Sequence, residues 1–318
     1  MKLLTIAEAA EVLLRNDNYI LLTHRRPDGD TIGSAAALCG GLRALGKTAA
    51  VLENPQFTEK YRPYLDGLTV PSVPKGAYLV SVDVATGGIL AYNAVDYVNQ
   101  IQLKLDHHVR SDDFAPRGCV DATAAACAEV ILSILREMKA PIGKRTAEAL
   151  YLGLSTDTGC FRFSNVTANT LRAAAACIDC GADTFTINQV MFMTKRLPRL
   201  QLEAHLTQTT EFYAEGKVAV SAISDKLKEE LGLTEDDIDD ISGFGREIAG
   251  VEIAVMLREV GERGKISVRT SPDYNASEIC AHVGGGGHKA AAGASVDGGI
   301  EGARQAILDA IAAEGVKL

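Results

Sequence analysis

Four short runs of branched and apolar residues recur through the first third of the chain: "YILLT" at 19–23, "AAVLE" at 49–53, "AYLVSVDVA" at 77–85 and "IQLKLD" at 101–106. Each is too short for a helix and nearly continuous in its apolar character, the pattern of a strand buried on both faces. Between and after them lie small-residue or amphipathic stretches at 31–46, 124–138 and 144–154 that suit helices. This alternation predicts an α/β domain with a largely parallel sheet covered on both sides. In such sheets, ligands bind beyond the carboxyl ends of the strands.

The texture changes at "INQVMFMTKRLPRLQLEAHLT", a Met- and Arg-bearing segment broken near Pro198, which reads as a helical connector. Beyond it, "KVAVSAIS" predicts a strand, and "VEIAVMLREVGERGKISVRTS" predicts two strands joined by a Gly-containing turn. The acidic "DKLKEELGLTEDDIDDIS" reads as helical, with "LTEDDIDD" as a solvated face, and a closing helix is expected near 300–313. The expected organisation is a first domain at 1–186, a connector at 187–207 and a smaller α/β domain at 208–318. No internal repeat or low-complexity tract interrupts it.

Composition narrows the function classes. A chain of 318 residues with 47% hydrophobic and 23% charged positions has the make-up of a folded protein large enough for two cores. A net charge of −9 argues against gripping long duplex nucleic acid, which requires neutralising many phosphates, but a local Arg cluster could still hold a small anion. The seven cysteines are scattered, and Cys177 and Cys180 have no second pair near them, which speaks against structural zinc or a disulfide framework. The N-terminal stretch carries acids among its apolar residues, like a surface helix rather than a signal peptide, and no run is long enough to span a bilayer. A cytoplasmic protein with no membrane partner is the expectation.

The polar residues that follow the apolar runs carry the chemistry. "HRRPDGDTIGS" places His24, Asp28 and Asp30 after the first run, Asp83 ends the third, Asp106, His107 and His108 end the fourth, and "STDTG" adds Asp157. Taken singly, each has an ordinary reading: Pro27, Asp28 and Gly29 are common turn residues, and a histidine can sit satisfied in a core. Together they crowd carboxylates that would repel unless cations lay among them. Aspartate and histidine suit Mn²⁺ or another hard-to-borderline divalent ion. Two such ions sharing a carboxylate would serve attack at phosphorus.

In order and spacing, "HRRPDGDTIGS", "VDVA", "LDHH" and "STDTG" resemble the four motifs of the DHH phosphoesterase superfamily. "GGGGHKAAAGAS" is similar to the signature of the DHH-associated second domain. Length and the "FRFSN" segment most resemble the NrnA-type oligoribonucleases. The resemblance implies a Rossmann-like catalytic domain, a substrate-binding domain, and two divalent metal ions, Mn²⁺ or Mg²⁺. It makes His24, Asp28 and Asp83 ligands of one ion, and Asp30, Asp83, His107 and Asp157 ligands of the other. His108 would face the scissile phosphate, with Asp106 orienting a histidine. The implied substrates are short RNA oligonucleotides, dinucleotides and phosphoadenosine phosphate; whether the chain works alone or as a homodimer stays open.

The glycine run Gly284, Gly285, Gly286 and Gly287 followed by His288 would let backbone amides approach an anion, and Arg269 could contact a terminal phosphate. Arg110, Arg117 and Arg162 are weaker candidates. Competing readings are a linear or cyclic dinucleotide phosphodiesterase in signalling, a family II inorganic pyrophosphatase, whose second domain lacks "GGGGH", and a non-catalytic nucleotide-binding module.

Overall fold

The four apolar runs form strands Tyr19–Leu22, Ala49–Leu52, Tyr78–Val82 and Ile101–Asp106 in a computed structural model that describes residues 1–238 and 241–318. With the short strands Lys2–Leu3, Thr69–Val70 and Arg117–Val120 they make a seven-stranded sheet in which every neighbouring pair is parallel. Its order begins with Lys2–Leu3 and continues through Arg117–Val120, Ile101–Asp106, Tyr78–Val82, Tyr19–Leu22 and Ala49–Leu52 to Thr69–Val70. The chain therefore builds outward from Tyr19–Leu22 in one direction and returns to its other side with Tyr78–Val82. This reversal opens a crevice at the carboxyl ends of those two strands.

Helices Gly29–Ala44, Cys127–Glu137 and Lys144–Asp157 bury one face of the sheet beneath a core of Leu, Ile, Val and Ala. Helix Gly29–Ala44 is buried along nearly its whole length, and its small residues bring it unusually close to helix Lys144–Asp157. A Cβ at Gly33 would stand 2.3 Å from the Ala149 carbonyl oxygen and 2.9 Å from the Gly153 amide nitrogen. A Cβ at Gly153 would in turn stand 2.7 Å from an Asp30 carboxylate oxygen. Backbone thus meets backbone along this seam.

Alanine at a helix-interior glycine ordinarily stabilises by about 0.5–1 kcal/mol. At Gly33 the clash should outweigh this, because overpacking against backbone costs about 1–3 kcal/mol or more. Gly33→Ala is expected to lower the urea midpoint at unchanged m-value; a midpoint at or above wild type would mean that the two helices can separate freely.

The division between compact units falls at Thr194 and Lys195, inside the segment expected to connect two domains. Helix Leu197–Thr209 belongs to the second unit, where Leu202 and Leu206 pack with Ile223, Ile241 and Met256. That unit holds a six-stranded mixed sheet in the order Gly286–Gly287, Ala291–Asp297, Arg263–Thr270, Ile253–Val260, Val218–Ile223 and Glu211–Tyr213. Helices Ala276–Ala281 and Gly299–Ala313 cover the face carrying Val255, Leu257, Ile266 and Val268.

Part of the acidic run departs from the expected solvated face. Asp237 is 3% exposed. Its carboxylate accepts the Thr234 amide and hydroxyl, each at 2.8 Å, and pairs with Arg196. The side chain acts as an internal clamp for the turn that starts helix Glu235–Ile238, while Asp239 and Asp240 of that run lie outside the described residues.

Candidate metal centre

The crevice at the sheet reversal collects the predicted residues from five places in the chain. His24 leaves the end of Tyr19–Leu22, and Asp28 caps helix Gly29–Ala44, its carboxylate accepting the Asp30 and Thr31 amides at 3.0 and 3.1 Å. Asp30 lies in the first turn of that helix. Asp83 follows Tyr78–Val82 with a φ of 59°, a left-handed conformation that aspartate tolerates better than most residues. Asp106 ends Ile101–Asp106, with His107 and His108 next, and Asp157 is the last residue of helix Lys144–Asp157.

Their side chains converge. His24 Nε2 lies 3.6 Å from Asp28 Oδ1 and 3.7 Å from Asp83 Oδ2. On the other side of Asp83, Oδ1 lies 3.6 Å from both His107 Nε2 and His108 Nδ1. His107 Nε2 is also 3.8 Å from Asp30 Oδ2 and 3.4 Å from Asp157 Oδ2. Among the described residues three overlapping groups with metal-ligand chemistry result, His24 with Asp28 and Asp83, Asp30 with His107 and Asp157, and Asp83 with His107 and His108, the ligand atoms of each lying within 4.8 Å of one another. Asp83 directs Oδ2 toward His24 and Oδ1 toward His107 and His108.

The charge balance fits cations. Asp83 is 2% exposed, yet its Oδ1 has no hydrogen-bond partner, a costly state for a carboxylate oxygen that a bound cation would relieve. Burial and the neighbouring Asp83 charge push Asp30 up to about 7, and burial together with Asp30 pushes Asp157 up to about 8. Desolvation opposes charging of His107, but Asp30, Asp83 and Asp157 outweigh it and push the imidazole up to about 9. Each shift favours the protonated form, so a bound cation would compete with protons at these groups.

Metal binding requires these groups deprotonated, so uptake must release protons. Because Asp30, Asp157 and His107 take up protons as pH falls through 9 to 7, apparent metal affinity should fall steeply over the same interval. Calorimetric titration of the metal-free protein with Mn²⁺ in buffers of different ionisation enthalpy measures this release. An affinity independent of pH would contradict it.

The side chains of the cluster are held by groups that motif reading passes over. Asp30 accepts the Cys127 and Ala128 amides at 2.6 and 3.0 Å, so the positive N-terminus of helix Cys127–Glu137 points at it. His107 Nδ1 meets the Ala124 carbonyl at 3.2 Å and His24 Nδ1 the Arg25 carbonyl at 2.9 Å, which leaves both Nε2 atoms facing the cluster. Asp106 is fully buried; its Oδ1 meets His108 Nδ1 at 2.7 Å, and its Oδ2 accepts the Ser111 hydroxyl at 2.7 Å and pairs with Lys104 at 3.3 Å. Lys104 is itself fully buried, also donating to the Ala85 carbonyl at 2.7 Å. A lysine between Leu103 and Leu105 in a buried strand is the available signal for this arrangement.

Arg269, Gly284, Gly285, Gly286, Gly287 and His288 belong to the second unit. Arg269 lies opposite Ala291 in the sheet, and the His288 amide donates to the Ala291 carbonyl at 2.8 Å, so the two residues flank one row. The Arg269 guanidinium donates to the Val268 carbonyl and the Ser242 hydroxyl, at 3.0 and 2.9 Å. The glycines have a packing reason of their own: a Cβ at Gly285 would stand 2.4 Å from the Gly293 carbonyl oxygen, and one at Gly287 2.6 Å from that of Ala291. His288 is exposed beside them.

The model of the DHH family, N-terminal domain, matches residues 18–154, and that of the DHHA1 domain matches residues 215–314. The chain is 32% identical to the bifunctional oligoribonuclease and PAP phosphatase NrnA of Thermus thermophilus, over 96% of this chain and 93% of the relative. It is 27% identical to the Bacillus subtilis protein of the same name, over 88% and 90% of the two chains. An exopolyphosphatase-related protein from Bacteroides fragilis shares the fold at a TM-score of 0.85 and 22% identity, over 96% of this chain and 94% of that one.

Proposed function

The chain belongs to the DHH family of phosphoesterases, and from that premise we propose that it is a metal-dependent phosphodiesterase that releases nucleoside monophosphates from very short RNA. Removal of the 3′-phosphate from phosphoadenosine phosphate is part of the same reading, as is a cytoplasmic setting. Among the described residues no helix is long and apolar enough to cross a membrane. The observation that carries the reading is the buried Asp83 oxygen that lacks a hydrogen bond and lies between His and Asp groups. The relatives named for oligoribonuclease and PAP phosphatase activity, matched over nearly their whole length, support the choice of substrate.

His24, Asp28 and Asp83 would hold one divalent ion and Asp30, Asp83, His107 and Asp157 a second, Mn²⁺ or Mg²⁺, supplying Lewis-acid polarisation of the phosphate and of water. The protein's own groups do the rest. Asp83 fixes the spacing of the two ligand groups. Desolvation disfavours the charged form of His108, but its bond to Asp106 and the nearby Asp83 charge together outweigh this and raise its pKa, so the ring can carry a proton on Nε2 while Nδ1 is held. In this proposal that Nε2 proton goes to the leaving oxygen of the cleaved ester. Lys104 and Ser111 keep Asp106 fixed as the ring changes charge.

Arg269, His288 and the loop Gly284 to Gly287 are proposed to hold a terminal phosphate. Charge-assisted hydrogen bonds contribute about 1.5–3 kcal/mol, so Arg269→Ala should weaken binding of a phosphorylated dinucleotide by roughly ten- to a hundredfold. The loss should be smaller for the same dinucleotide without its terminal phosphate. Steady-state kinetics on this matched pair decides, and equal losses would remove the terminal-phosphate role.

The reading as a whole is tested by product analysis, with and without Mn²⁺, on RNAs from the dinucleotide upward, phosphoadenosine phosphate, a cyclic dinucleotide and pyrophosphate. Mononucleotide released fastest from the shortest RNAs is the expected result. Turnover of only the cyclic dinucleotide or only pyrophosphate would replace it, and metal binding without turnover of any substrate would point to a nucleotide-binding module.

A further inference from the structure

The segment just beyond Asp157 is strained in a way that the metal cluster does not require. Gly159, Cys160 and Phe161 have φ values of 55°, 57° and 61°, three left-handed residues in succession of which only the first is glycine. An aromatic residue in this conformation is rare, and such strain collects at functional sites. The turn is firmly tied: the Thr158 carbonyl accepts the Arg162 and Phe163 amides at 2.9 and 3.0 Å, and the Thr158 hydroxyl accepts the Phe161 amide at 3.0 Å. At its exit, Asn165 Nδ2 donates to the Asp157 and Ala125 carbonyls, at 3.1 and 3.0 Å.

The two aromatic rings of the turn have opposite fates. Phe161 packs toward the core, 5.7 Å from the Tyr151 ring. Phe163 is 58% exposed. Its ring is laid against Gly159, where a Cβ would stand 2.4 Å from Phe163 Cζ, so glycine there lets the ring lie across the turn. Arg162 runs alongside, its Nε donating to the Gly159 carbonyl at 2.5 Å. The outcome is a flat apolar surface, fixed in orientation and open to solvent, six residues along the chain from Asp157 and bound to that residue's carbonyl through Asn165.

We propose that the Phe163 ring is a stacking platform for a nucleobase of the substrate whose phosphate meets the Asp157 cluster. The inference rests on the phosphodiesterase reading above. Stacking accepts any base, because every base has a π face, and so suits an enzyme that must degrade short RNA of any sequence. The adjacent Arg162 guanidinium would add attraction for the same nucleotide.

The test compares kcat/KM, with Mn²⁺ present, for a 5′-phosphorylated diadenylate and for the same compounds lacking one base or the other. Wild type should prefer the complete dinucleotide. Phe163→Ala should lower kcat/KM on it by between about fivefold and a hundredfold, mainly through KM, and should lose the preference over one abasic compound. Phe163→Tyr and Phe163→Trp should retain it, and bound metal should be the same in all variants. Equal loss on complete and abasic substrates, or a preference that survives in Phe163→Ala, would overturn the stacking role while leaving the phosphodiesterase reading intact. Failure of wild type to cleave any of these compounds would remove that reading, and this inference with it.

Discussion

Asp83→Asn is expected to lower turnover by at least about a thousandfold, equivalent to several kcal/mol of transition-state stabilisation, and to reduce bound metal at both positions together. Asparagine matches aspartate in shape and tolerates the left-handed backbone at this position, with its φ of 59°, so the fold should survive the change. What is lost is the charge that faces His24 on one side and His107 on the other, at 3.7 and 3.6 Å. Asp28 is paired with His24 alone among the cluster's histidines and is more exposed, so Asp28→Asn should cost less. Metal analysis, turnover and thermal melting with added Mn²⁺ measure the three effects. A ligand present at 100 times its Kd adds about 2.7 kcal/mol of stability, which wild type should show and Asp83→Asn should not. Near-normal turnover with two metals retained would end the shared-ligand assignment.

His108→Ala should separate chemistry from metal loading. Bound metal should stay at the wild-type level while kcat falls by roughly a hundredfold or more, the contribution of a positioned general acid. The nature of the leaving group sharpens the test. A nucleotide p-nitrophenyl ester releases an anion that needs no proton, so its hydrolysis should suffer much less than that of a dinucleotide. Asp106→Asn should produce a milder form of the same pattern, because His108 would lose its charged partner at 2.7 Å but not its place in the chain. Loss of metal in His108→Ala, or equal slowing on both esters, would make His108 a ligand and not an acid.

The parts of this protein that were legible in its sequence share a physical cause. Strands buried on both faces of a parallel sheet are mostly apolar, so "YILLT" and, despite Gln102 and Lys104, "IQLKLD" stand out, and the polar residues at their ends stand out with them. Other parts carry no such mark. Lys2–Leu3 and Thr69–Val70 are two residues each, too short for any periodicity. Ala291–Asp297 opens with Ala-Ala-Gly-Ala, residues with little strand preference, and owes its place to pairing with Arg263–Thr270. The amides of Cys127 and Ala128 that hold Asp30 are backbone groups, which no side-chain motif can announce. Asp237 was misread because an acidic run looks the same whether one member turns inward or none does.

The glycine seam between helices Gly29–Ala44 and Lys144–Asp157 bears on how this protein can change over evolutionary time. Asp30 and Asp157 sit on opposite sides of a joint whose width is set by main-chain atoms touching main-chain atoms, where even a methyl group at Gly33 would stand only 2.3 Å from the Ala149 carbonyl oxygen. Side chains elsewhere in the core can be exchanged for others of similar volume without altering that width. A saturation-mutagenesis map should therefore show an unusual contrast, with wide tolerance among the large buried leucines and valines and almost none at Gly33 and Gly153. Lineages carrying this joint would be free to drift in nearly every core residue while the distance between two carboxylates stays constant.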